Sequence, residues 1–238
     1  MSFNSVLITG SSRGIGRCLA MTFAKKGYPV ILHGRNMDYL KKVEEEIRKD
    51  NGKAFSVAGD LREEKTLEEI YMTTRRNGIS VLVNNAAVTC PGLPLEKLSY
   101  EKIQEMIEIN LHAPIKLTKR LYDLLEEYHG TIININSLSG IENQKFRSLY
   151  CATKWGLRGF TDTLRLECSE KNIRIMGVYL SKIKNNQTDL VGLDLEKVCE
   201  EIYTSYKNEN IDELIIDGRP KQYRIKKKIR TKRIFTNS

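Results

Sequence analysis

Seven short apolar runs recur along the chain, and polar or amphipathic segments separate them. The runs span residues 6–9, 29–33, 54–58, 79–83, 131–135, 173–180 and 213–216. Apolar runs of this length, bounded by glycine or polar residues, are typical of buried strands. Most of the longer segments between them carry apolar residues three and four positions apart, which is the spacing of a helix with one buried face.

This helical spacing predicts six helices between and after the strands. They follow Gly16 and Asp60 and cover residues 38–49, 98–128, 149–168 and 195–206. Only Pro114 interrupts the long stretch 98–128, which carries Asn110 near its middle. Strands that alternate with helices predict a three-layer α/β fold, in which helices cover both faces of a doubly wound parallel sheet. Ligands of such folds bind at the carboxyl ends of the strands.

The composition predicts one folded, soluble domain. Of the 238 residues, 40% are hydrophobic and 29% are charged, which suffices for a buried core and argues against global disorder. No apolar run approaches 18 residues, and the first apolar run has no basic, leader-like prelude. We therefore expect a cytoplasmic protein without a membrane span.

Neither the cysteines nor the histidines are spaced like metal ligands. The five cysteines are scattered, odd in number and free of Cys-x-x-Cys pairs, which indicates reduced thiols in a cytoplasmic protein. The three histidines, His33, His112 and His129, also lack such a spacing. We expect no metal site.

The formal charge of +9 is confined to the C-terminal tail. Residues 219–238 hold nine Lys or Arg and no Asp or Glu, whereas residues 1–218 hold 30 basic and 30 acidic side chains. We therefore expect a neutral domain over residues 1–218 and a basic tail over residues 219–238. The tail has three interpretations: a solvated extension, a contact to a second subunit or to the active site, or a recruiter of anionic partners.

The first strand ends in Gly10-Ser-Ser-Arg-Gly14-Ile-Gly16, and a helical pattern follows. Glycines between a strand and a helix let the backbone approach a pyrophosphate, which then lies on the free N–H groups of the helix. The motif therefore predicts a dinucleotide site of the Rossmann type. The contacts expected in this loop are Gly10, Ser12, Arg13, Gly14, Ile15 and Gly16.

The end of the second strand predicts which dinucleotide binds. About twenty residues past the glycines, NAD-binding folds carry an acid that holds the ribose hydroxyls. Here the position is Gly34, followed by Arg35 and Asn36. An acid would repel a 2′-phosphate, whereas Arg35 can pair with one and Arg13 can add a second cation. We expect NADP(H) in preference to NAD(H).

Two further strand ends carry residues suited to the same ligand. Asp60 and Leu61 follow the third strand and are candidates to contact adenine. Asn84 and Ala86 come at the end of the fourth strand, where small residues fit a close approach of backbone to ligand.

Ser137, Tyr150 and Lys154 suggest proton transfer to or from an alcohol or ketone oxygen. On a helix, Tyr150 and Lys154 lie one turn apart on the same face. A nearby ammonium favours the phenolate and lowers the tyrosine pKa from its usual value of about 10. Ser137, delivered by the fifth strand, can hold a carbonyl oxygen against the phenol. On its own, a tyrosine four residues before a lysine is more often part of a helix surface.

Together these motifs resemble the single-domain short-chain dehydrogenases/reductases over residues 3–218. The chain matches the family's Thr-Gly-x-x-x-Gly-x-Gly at residues 9–16 and its Asn-Asn-Ala-Gly at residues 84–87. The family's active-site residues appear in the same order and spacing as Asn110, Ser137, Tyr150 and Lys154.

The resemblance implies hydride transfer between NADP(H) and a carbonyl or secondary alcohol. Tyr150 would be the general acid/base, Ser137 would orient the substrate oxygen, and Lys154 would bind the nicotinamide ribose and lower the tyrosine pKa. Asn110 would hold a water in a proton relay, and Asn84 would support the cofactor side of the sheet. The two long helices would form a homodimer or homotetramer.

The chain departs from the family pattern at several positions. Ala87 replaces the last glycine of Asn-Asn-Ala-Gly, and Asp217-Gly218 lacks the Asp-Gly-Gly ending of the ketoacyl-carrier-protein reductases. The Pro-Gly after the sixth strand appears as Leu180-Ser181, and Asn185 replaces a threonine that grips the nicotinamide amide. Ile183 and Asn185 would still bind the cofactor, since an asparagine side chain donates and accepts hydrogen bonds.

The substrate class stays open. If residues 145–147 and 182–186 line the pocket, its mouth is cationic, which favours an anionic or sugar-like carbonyl compound such as a sugar phosphate. The alternative substrate is a 3-oxoacyl thioester. A non-catalytic NADP-binding sensor is a further hypothesis, which the changed Leu180-Ser181 favours and the four intact active-site residues oppose.

Overall fold

The computed structural model describes residues 4–90, 92–183, 192–219 and 224–229. Over these residues the strands are β1 (Ser5–Thr9), β2 (Val30–Gly34), β3 (Ala54–Ala58), β4 (Ile79–Asn84), β5 (Thr131–Ser137), β6 (Arg174–Leu180), β7 (Ile211–Asp217) and β8 (Arg224–Ile229). They form one sheet in the order β3-β2-β1-β4-β5-β6-β7-β8. The strands predicted from the apolar runs are confirmed as β1 to β7, with small differences at their ends.

Strands β1 to β7 are parallel, so their carboxyl ends lie at one edge of the sheet. β1 pairs with β2 on one side and with β4 on the other. The strand order therefore reverses at β1, and a crevice opens there at the carboxyl edge, which is where doubly wound sheets bind ligands. The predicted fold class is confirmed.

Helices cover both faces of the sheet. The helices are α1 (Gly14–Lys25), α2 (Met37–Lys49), α3 (Glu64–Asn77), α4 (Tyr100–Ile107), α5 (Ala113–Glu127), α6 (Ser148–Glu167) and α7 (Leu195–Lys207). One apolar core lies between the sheet and α1, α2 and α7; a second lies between the opposite face and α3, α5 and α6. This arrangement buries nearly every side chain of the central strands, which explains their almost continuous apolar runs.

The stretch 98–128 is not the single helix predicted. A π-helical segment, Glu108–His112, joins α4 to α5 and carries Asn110. Pro114 lies in the first turn of α5, where a proline is tolerated. Because proline has no N–H, the Asn110 carbonyl four residues earlier lacks the donor that an α-helix would supply. Single π-helical turns inside α-helices are frequent at functional sites.

The basic tail contributes β8, which was not predicted from the sequence. β8 pairs antiparallel with β7, and Lys228 lies opposite Glu213 in this ladder. On the other face of the strand, Lys227 Nζ lies 2.6 Å from a carboxylate oxygen of Glu201 in α7. Opposite charges on neighbouring positions stabilise strand pairing. The interpretation of the tail as a solvated extension is therefore wrong for residues 224–229.

Three further features bear on the classes of function expected. In the part of the chain that the structure describes, no helix combines the length and apolar character needed to cross a membrane. Within the same residues, His, Cys, Asp and Glu form no cluster of three or more that could hold a metal ion. All five cysteines are free thiols.

Candidate active site

A groove of about 600 Å³ lies at the carboxyl ends of β1, β2, β3 and β4. It gathers the glycine loop and both further strand ends named from the sequence. The predicted residues that line it are Gly10, Ser12, Arg13, Gly14, Ile15, Gly16, Arg35, Asn36, Asp60, Leu61 and Ala86. Residues far apart in the chain thus meet because their strands are parallel neighbours.

The glycine loop is shaped to admit a ligand to the start of α1. Gly10 has a φ of 65° and Gly14 a φ of 57°, a conformation that favours glycine. A Cβ atom at Gly16 would clash with the Gly10 carbonyl and lie 2.6 Å from Asn85 Nδ2. The side chain of the N-cap residue Arg13 makes no capping hydrogen bond to α1, and the first turn of this helix holds no acid. These free N–H groups fit the pyrophosphate of a dinucleotide.

The far end of the groove is cationic. Arg13 and Arg35 are exposed there, and Asn36 caps α2 by accepting a hydrogen bond from Tyr39 N at 3.1 Å. The carboxylate of Asp60 is held by Arg62, whose hydrogen bonds lower the pKa of Asp60. The one acid that was expected at the groove is therefore neutralised by a neighbour, which suits a ligand with an additional phosphate.

Asn84 lies inside the sheet and not in the groove, contrary to its assignment as a cofactor contact. Its Nδ2 donates to Asn134 Oδ1 at 2.8 Å and to Thr118 Oγ1 at 3.3 Å, and the side chain is buried. The next residue, Asn85, lines the groove, and its Nδ2 donates to the Thr9 carbonyl at 2.8 Å. Since side chains alternate along a strand, a shift of one residue separates the core position from the site position.

A second cavity of about 530 Å³ adjoins the groove. Both cavities are lined by Ile15, Asn85 and Ala87, so a ligand in one can touch a ligand in the other. The second cavity also contains Ser137 from the end of β5 and Tyr150 from the first turn of α6. The predicted reactive residues are thus brought together beside the dinucleotide groove.

The surroundings of Tyr150 shift its pKa in both directions, and the rise caused by burial is the larger effect. Burial raises the pKa of Tyr150, while a hydrogen bond with Ser137 and the positive charge of Arg147 oppose this shift. The Arg147 guanidinium carbon lies 5.3 Å from the centre of the Tyr150 ring, and Lys154 Nζ lies 5.9 Å from it. The prediction that Lys154 lowers the tyrosine pKa is therefore wrong for this structure, in which burial dominates.

Lys154 lies beneath the pocket with only 3% of its surface exposed. Its Nζ donates to the Ile135 carbonyl at 3.3 Å, and burial lowers the pKa of Lys154 to about 8. The ammonium still has unused donors, since Lys carries three. Lys154 lines the cavity shared with Ser137 and Tyr150, so a hydroxyl-bearing ligand there can accept from it.

The Asn110 side chain positions the loop that follows β4. Its Oδ1 accepts from Val88 N at 2.8 Å, and its Nδ2 donates to Val88 O at 2.9 Å. Both backbone groups of Val88 are thereby satisfied by one buried side chain. The water relay expected of Asn110 stays a prediction, and its main-chain carbonyl, which Pro114 leaves without an α-helical donor, is the group that suits it.

The altered Leu180-Ser181 turn is braced by its serine. Ser181 Oγ accepts from Gly218 N at 2.9 Å, and Ser181 N donates to the Ile216 carbonyl at 3.1 Å. The ends of β6 and β7 are therefore tied together, although the family's Pro-Gly is absent. Ile183, which was expected to bind the cofactor, lines the second cavity, and its contact to the cofactor stays a prediction. Asn185, together with Lys184 and Asn186, lies outside the described residues.

The mouth of the second cavity carries Arg147 and Lys182 as expected, but not Lys145, which borders a separate outer hollow.

Arg219, the first residue of the tail, also lines the second cavity and was not predicted from the sequence. Its guanidinium donates to Glu142 at 2.8 and 3.1 Å and to Asp217 at 2.6 and 2.9 Å. No local motif marks it, because its partners lie on β7 and on the loop after β5.

The fold, the glycine loop and the Ser-Tyr-Lys arrangement place the chain in one family. The family model of the short chain dehydrogenases (adh_short) matches residues 4–193. The chain therefore belongs to the short-chain dehydrogenases/reductases and is an oxidoreductase that acts on CH–OH or carbonyl groups.

Individual relatives cover most of the chain. It is 34% identical over 209 residues to the 3-oxoacyl-acyl-carrier-protein reductase FabG of Aquifex aeolicus, covering 85% of this chain and 80% of that protein. Ketoacyl reductase HetN of a Nostoc species is 30% identical over 229 residues, covering 91% and 79%. A crystal structure of a metagenomic short-chain oxidoreductase in complex with NADP is 27% identical, with a TM-score of 0.82 and coverage of 91% and 98%.

Proposed function

We propose that the protein is an NADPH-dependent reductase of 3-oxoacyl thioesters. The observation that carries the proposal is the placement of Ser137, Tyr150 and Lys154 in a cavity that adjoins the dinucleotide groove. The names of the Aquifex and Nostoc relatives support a 3-oxoacyl substrate over the sugar phosphate preferred in the sequence analysis. The sugar phosphate stays a prediction without support from these relatives.

The charge at the end of the groove supports NADP(H) as the cofactor. Arg13 and Arg35 are exposed beside the ribose position, where they can pair with a 2′-phosphate. Asp60 is neutralised by Arg62 and does not oppose that charge. The metagenomic relative was crystallised with NADP.

The protein residues supply an acid and hold the substrate. When bound, the nicotinamide supplies the hydride. Ser137 donates to the substrate carbonyl oxygen and Tyr150 gives its proton to the same oxygen as negative charge develops on it. A raised pKa keeps the Tyr150 phenol protonated at neutral pH, which is the form that reduction requires.

The lining of the second cavity supports an acyl substrate. Leu138, Leu180 and Ile183 offer apolar surface for a short acyl chain, and Arg147 and Lys182 offer donors to its polar end. A sensor without turnover would not need Ser137, Tyr150 and Lys154 together in one cavity beside the cofactor groove. The combination therefore favours an enzyme over the sensor hypothesis.

The test combines binding and turnover. We expect tighter fluorescence-detected binding of NADPH than of NADH, and NADPH oxidation with the 3-oxobutanoyl thioester of N-acetylcysteamine. In Tyr150→Phe the rate should fall by about 10²- to 10⁴-fold, the usual contribution of a positioned acid, with unchanged NADPH affinity. Equal rates in the variant, or NADPH binding without turnover of the thioester, would contradict the proposal.

A further inference from the structure

Four basic side chains line the second cavity within the described part of the chain, and they differ in burial and in hydrogen-bond partners. Lys154 is buried and already donates to the Ile135 carbonyl. The guanidinium donors of Arg219 are already used, since they donate two hydrogen bonds to Glu142 and two to Asp217. Lys182 follows the end of β6, where its carbonyl accepts from Leu193 N at 2.9 Å.

Arg147 is the fourth, and its guanidinium differs from the cationic groups of Lys154 and Arg219, which have acceptors in the protein. Among the described residues it donates no side-chain hydrogen bond and pairs with no carboxylate. It stacks over the Tyr150 ring at 5.3 Å, where it is half-buried against the pocket. A guanidinium keeps its five donors in one plane, so stacking on a ring leaves its edge open to an acceptor in the cavity.

The backbone of Arg147 is anchored although its side chain is not. Phe146 adopts a left-handed φ of 62°, and its carbonyl accepts from Leu93 N at 3.0 Å. Arg147 N donates to Gln144 O at 3.2 Å, and Arg147 O accepts from Cys151 N at 2.8 Å as α6 begins. A bulky residue at positive φ persists only where its surroundings hold it, and such positions cluster at functional sites. The backbone of Arg147 is thereby fixed at a position from which its side chain reaches the Tyr150 ring.

We propose that Arg147 determines substrate specificity by donating to the C1 carbonyl oxygen of a 3-oxoacyl thioester. This inference rests on the proposed function. In such a substrate one methylene group separates the C3 carbonyl from the C1 carbonyl. Arg147 lines the same cavity as Ser137 and Tyr150 and lies over the Tyr150 ring, so with the C3 oxygen on these two hydroxyls we orient the C1 oxygen toward the guanidinium. A simple ketone has no acceptor there and gains no hydrogen bond from the guanidinium.

The test compares two substrates that differ only at C1. One is the 3-oxobutanoyl thioester of N-acetylcysteamine, and the other is the thioether ketone in which a methylene replaces the C1 carbonyl. In Arg147→Gln, kcat/KM for the thioester should fall about 10- to 100-fold more than kcat/KM for the ketone, the range for one hydrogen bond from a charged group, because both substrates share any effect of the lost charge on Tyr150. Arg147→Lys should be intermediate, since it keeps the charge and loses the planar fork.

Lys145→Gln is the matched control. It removes the same charge from the same loop, but Lys145 stacks on Phe146 at 4.8 Å outside the cavity, so both substrates should keep their wild-type kcat/KM. NADPH affinity and circular dichroism show whether each variant is folded. If Arg147→Gln does not fold, the ratio of the two kcat/KM values in Arg147→Lys tests the proposal instead.

The outcomes separate the two proposals. Equal losses on both substrates, or none on either, overturn the role of Arg147 and leave the thioester reductase standing. A wild-type enzyme that does not reduce the thioester overturns the proposed function and the inference that depends on it.

Discussion

His33 lies at the end of β2 with 2% of its surface exposed. Its Nε2 donates to the Gly59 carbonyl at 3.2 Å, and its Nδ1 has no partner among the described residues. Burial lowers the pKa of His33 to about 4, because the charged imidazolium would lose its hydration there. The ring borders the dinucleotide groove, so its protonation concerns both folding and the site.

Acid should therefore destabilise the protein through His33. Between pH 6.5 and 4 the unfolded chain holds more protons at this residue than the folded chain, so stability is lost as the pH falls through that window. The expected loss is about 3 kcal/mol in the free energy of unfolding, from the value of a pKa unit. Urea titrations of wild type and His33→Gln between pH 4 and 7.5 measure it as the difference between the two curves.

His112→Gln is the control for that series, since His112 is exposed. It should follow the wild-type pH dependence. A His33→Gln variant with an unchanged pH slope would show that the imidazole is charged without cost in the folded state.

Single residues also show how far residue type predicts chemistry. Ser137, Tyr150 and Lys154 were placed together correctly from their spacing, because strand and helix geometry convert spacing into proximity. The direction of the Tyr150 pKa shift was not predicted correctly, because the burial of the phenol and its distance from Arg147 depend on how α6 packs. Asn84 was assigned to the groove, which Asn85 lines instead, because sequence alone does not show which side of the strand end faces the core.

The junction of β1 and α1 requires glycine at a position that is already helical. Gly16 lies inside α1, and a side chain there would collide with the Gly10 carbonyl and approach Asn85. The requirement is therefore one of space and not of backbone conformation. Gly159, in the exposed middle of α6, provides a comparison, because a Cβ atom added there would meet no heavy atom of the described chain within 4 Å.

We expect opposite results for alanine at these two glycines. Gly16→Ala should raise the Kd for NADPH at least about tenfold and lower stability by about 1–3 kcal/mol, the usual cost of overpacking. Gly159→Ala should leave NADPH binding unchanged and raise stability by about 0.5–1 kcal/mol, because alanine favours helix. Fluorescence titration and urea denaturation measure both quantities. Wild-type NADPH affinity in Gly16→Ala would mean that the loop can shift to admit a side chain.

At the edge of the sheet, β8 covers β7 and joins the tail to the domain. β7 contributes Asp212, Glu213 and Asp217, and β8 contributes four basic residues in six. The pairing satisfies backbone groups of β7 and brings opposite charges together. Exposed lysines on the outer strand also discourage pairing with another chain. The boundary at residue 218 therefore separates a neutral segment from a basic one, but the sheet continues across it, because β8 belongs to the tail.

Removal of residues 220–238 should therefore destabilise the whole domain. A loss of about 2 kcal/mol, from the cross-strand pairs and the uncovered edge, corresponds to a fall in Tm of ~4–8 °C for a chain of this size. Replacing Lys226, Lys227 and Lys228 with Gln keeps the strand and should cost less, with a difference that shrinks at high salt. Differential scanning calorimetry at two salt concentrations tests this. An unchanged Tm on truncation would mean that the tail does not stabilise the domain, and would favour its interpretation as a recruiter of anionic partners or a subunit contact.

The homo-oligomer expected from the family stays a prediction. Trp155 on α6 is 42% exposed, and Phe146 before that helix is 49% exposed. Both lie on or beside the helix expected to form the interface, and size-exclusion chromatography with light scattering measures the mass directly.

The local sequence pattern was sufficient to predict the parallel strands, the glycine turn and the basic charge of the tail, because each depends on periodicity or on residue types at short spacing. The reactive residues also required the resemblance to a family, since their spacing alone is common on helix surfaces. Only the folded chain decided how residues far apart in sequence meet. Arg219 is occupied by Glu142 and Asp217 while Arg147 meets no carboxylate within the described chain, β8 pairs with β7, and burial raises the pKa of Tyr150. These outcomes depend on long-range contacts and on desolvation, which arise when the layers pack and which no short segment encodes.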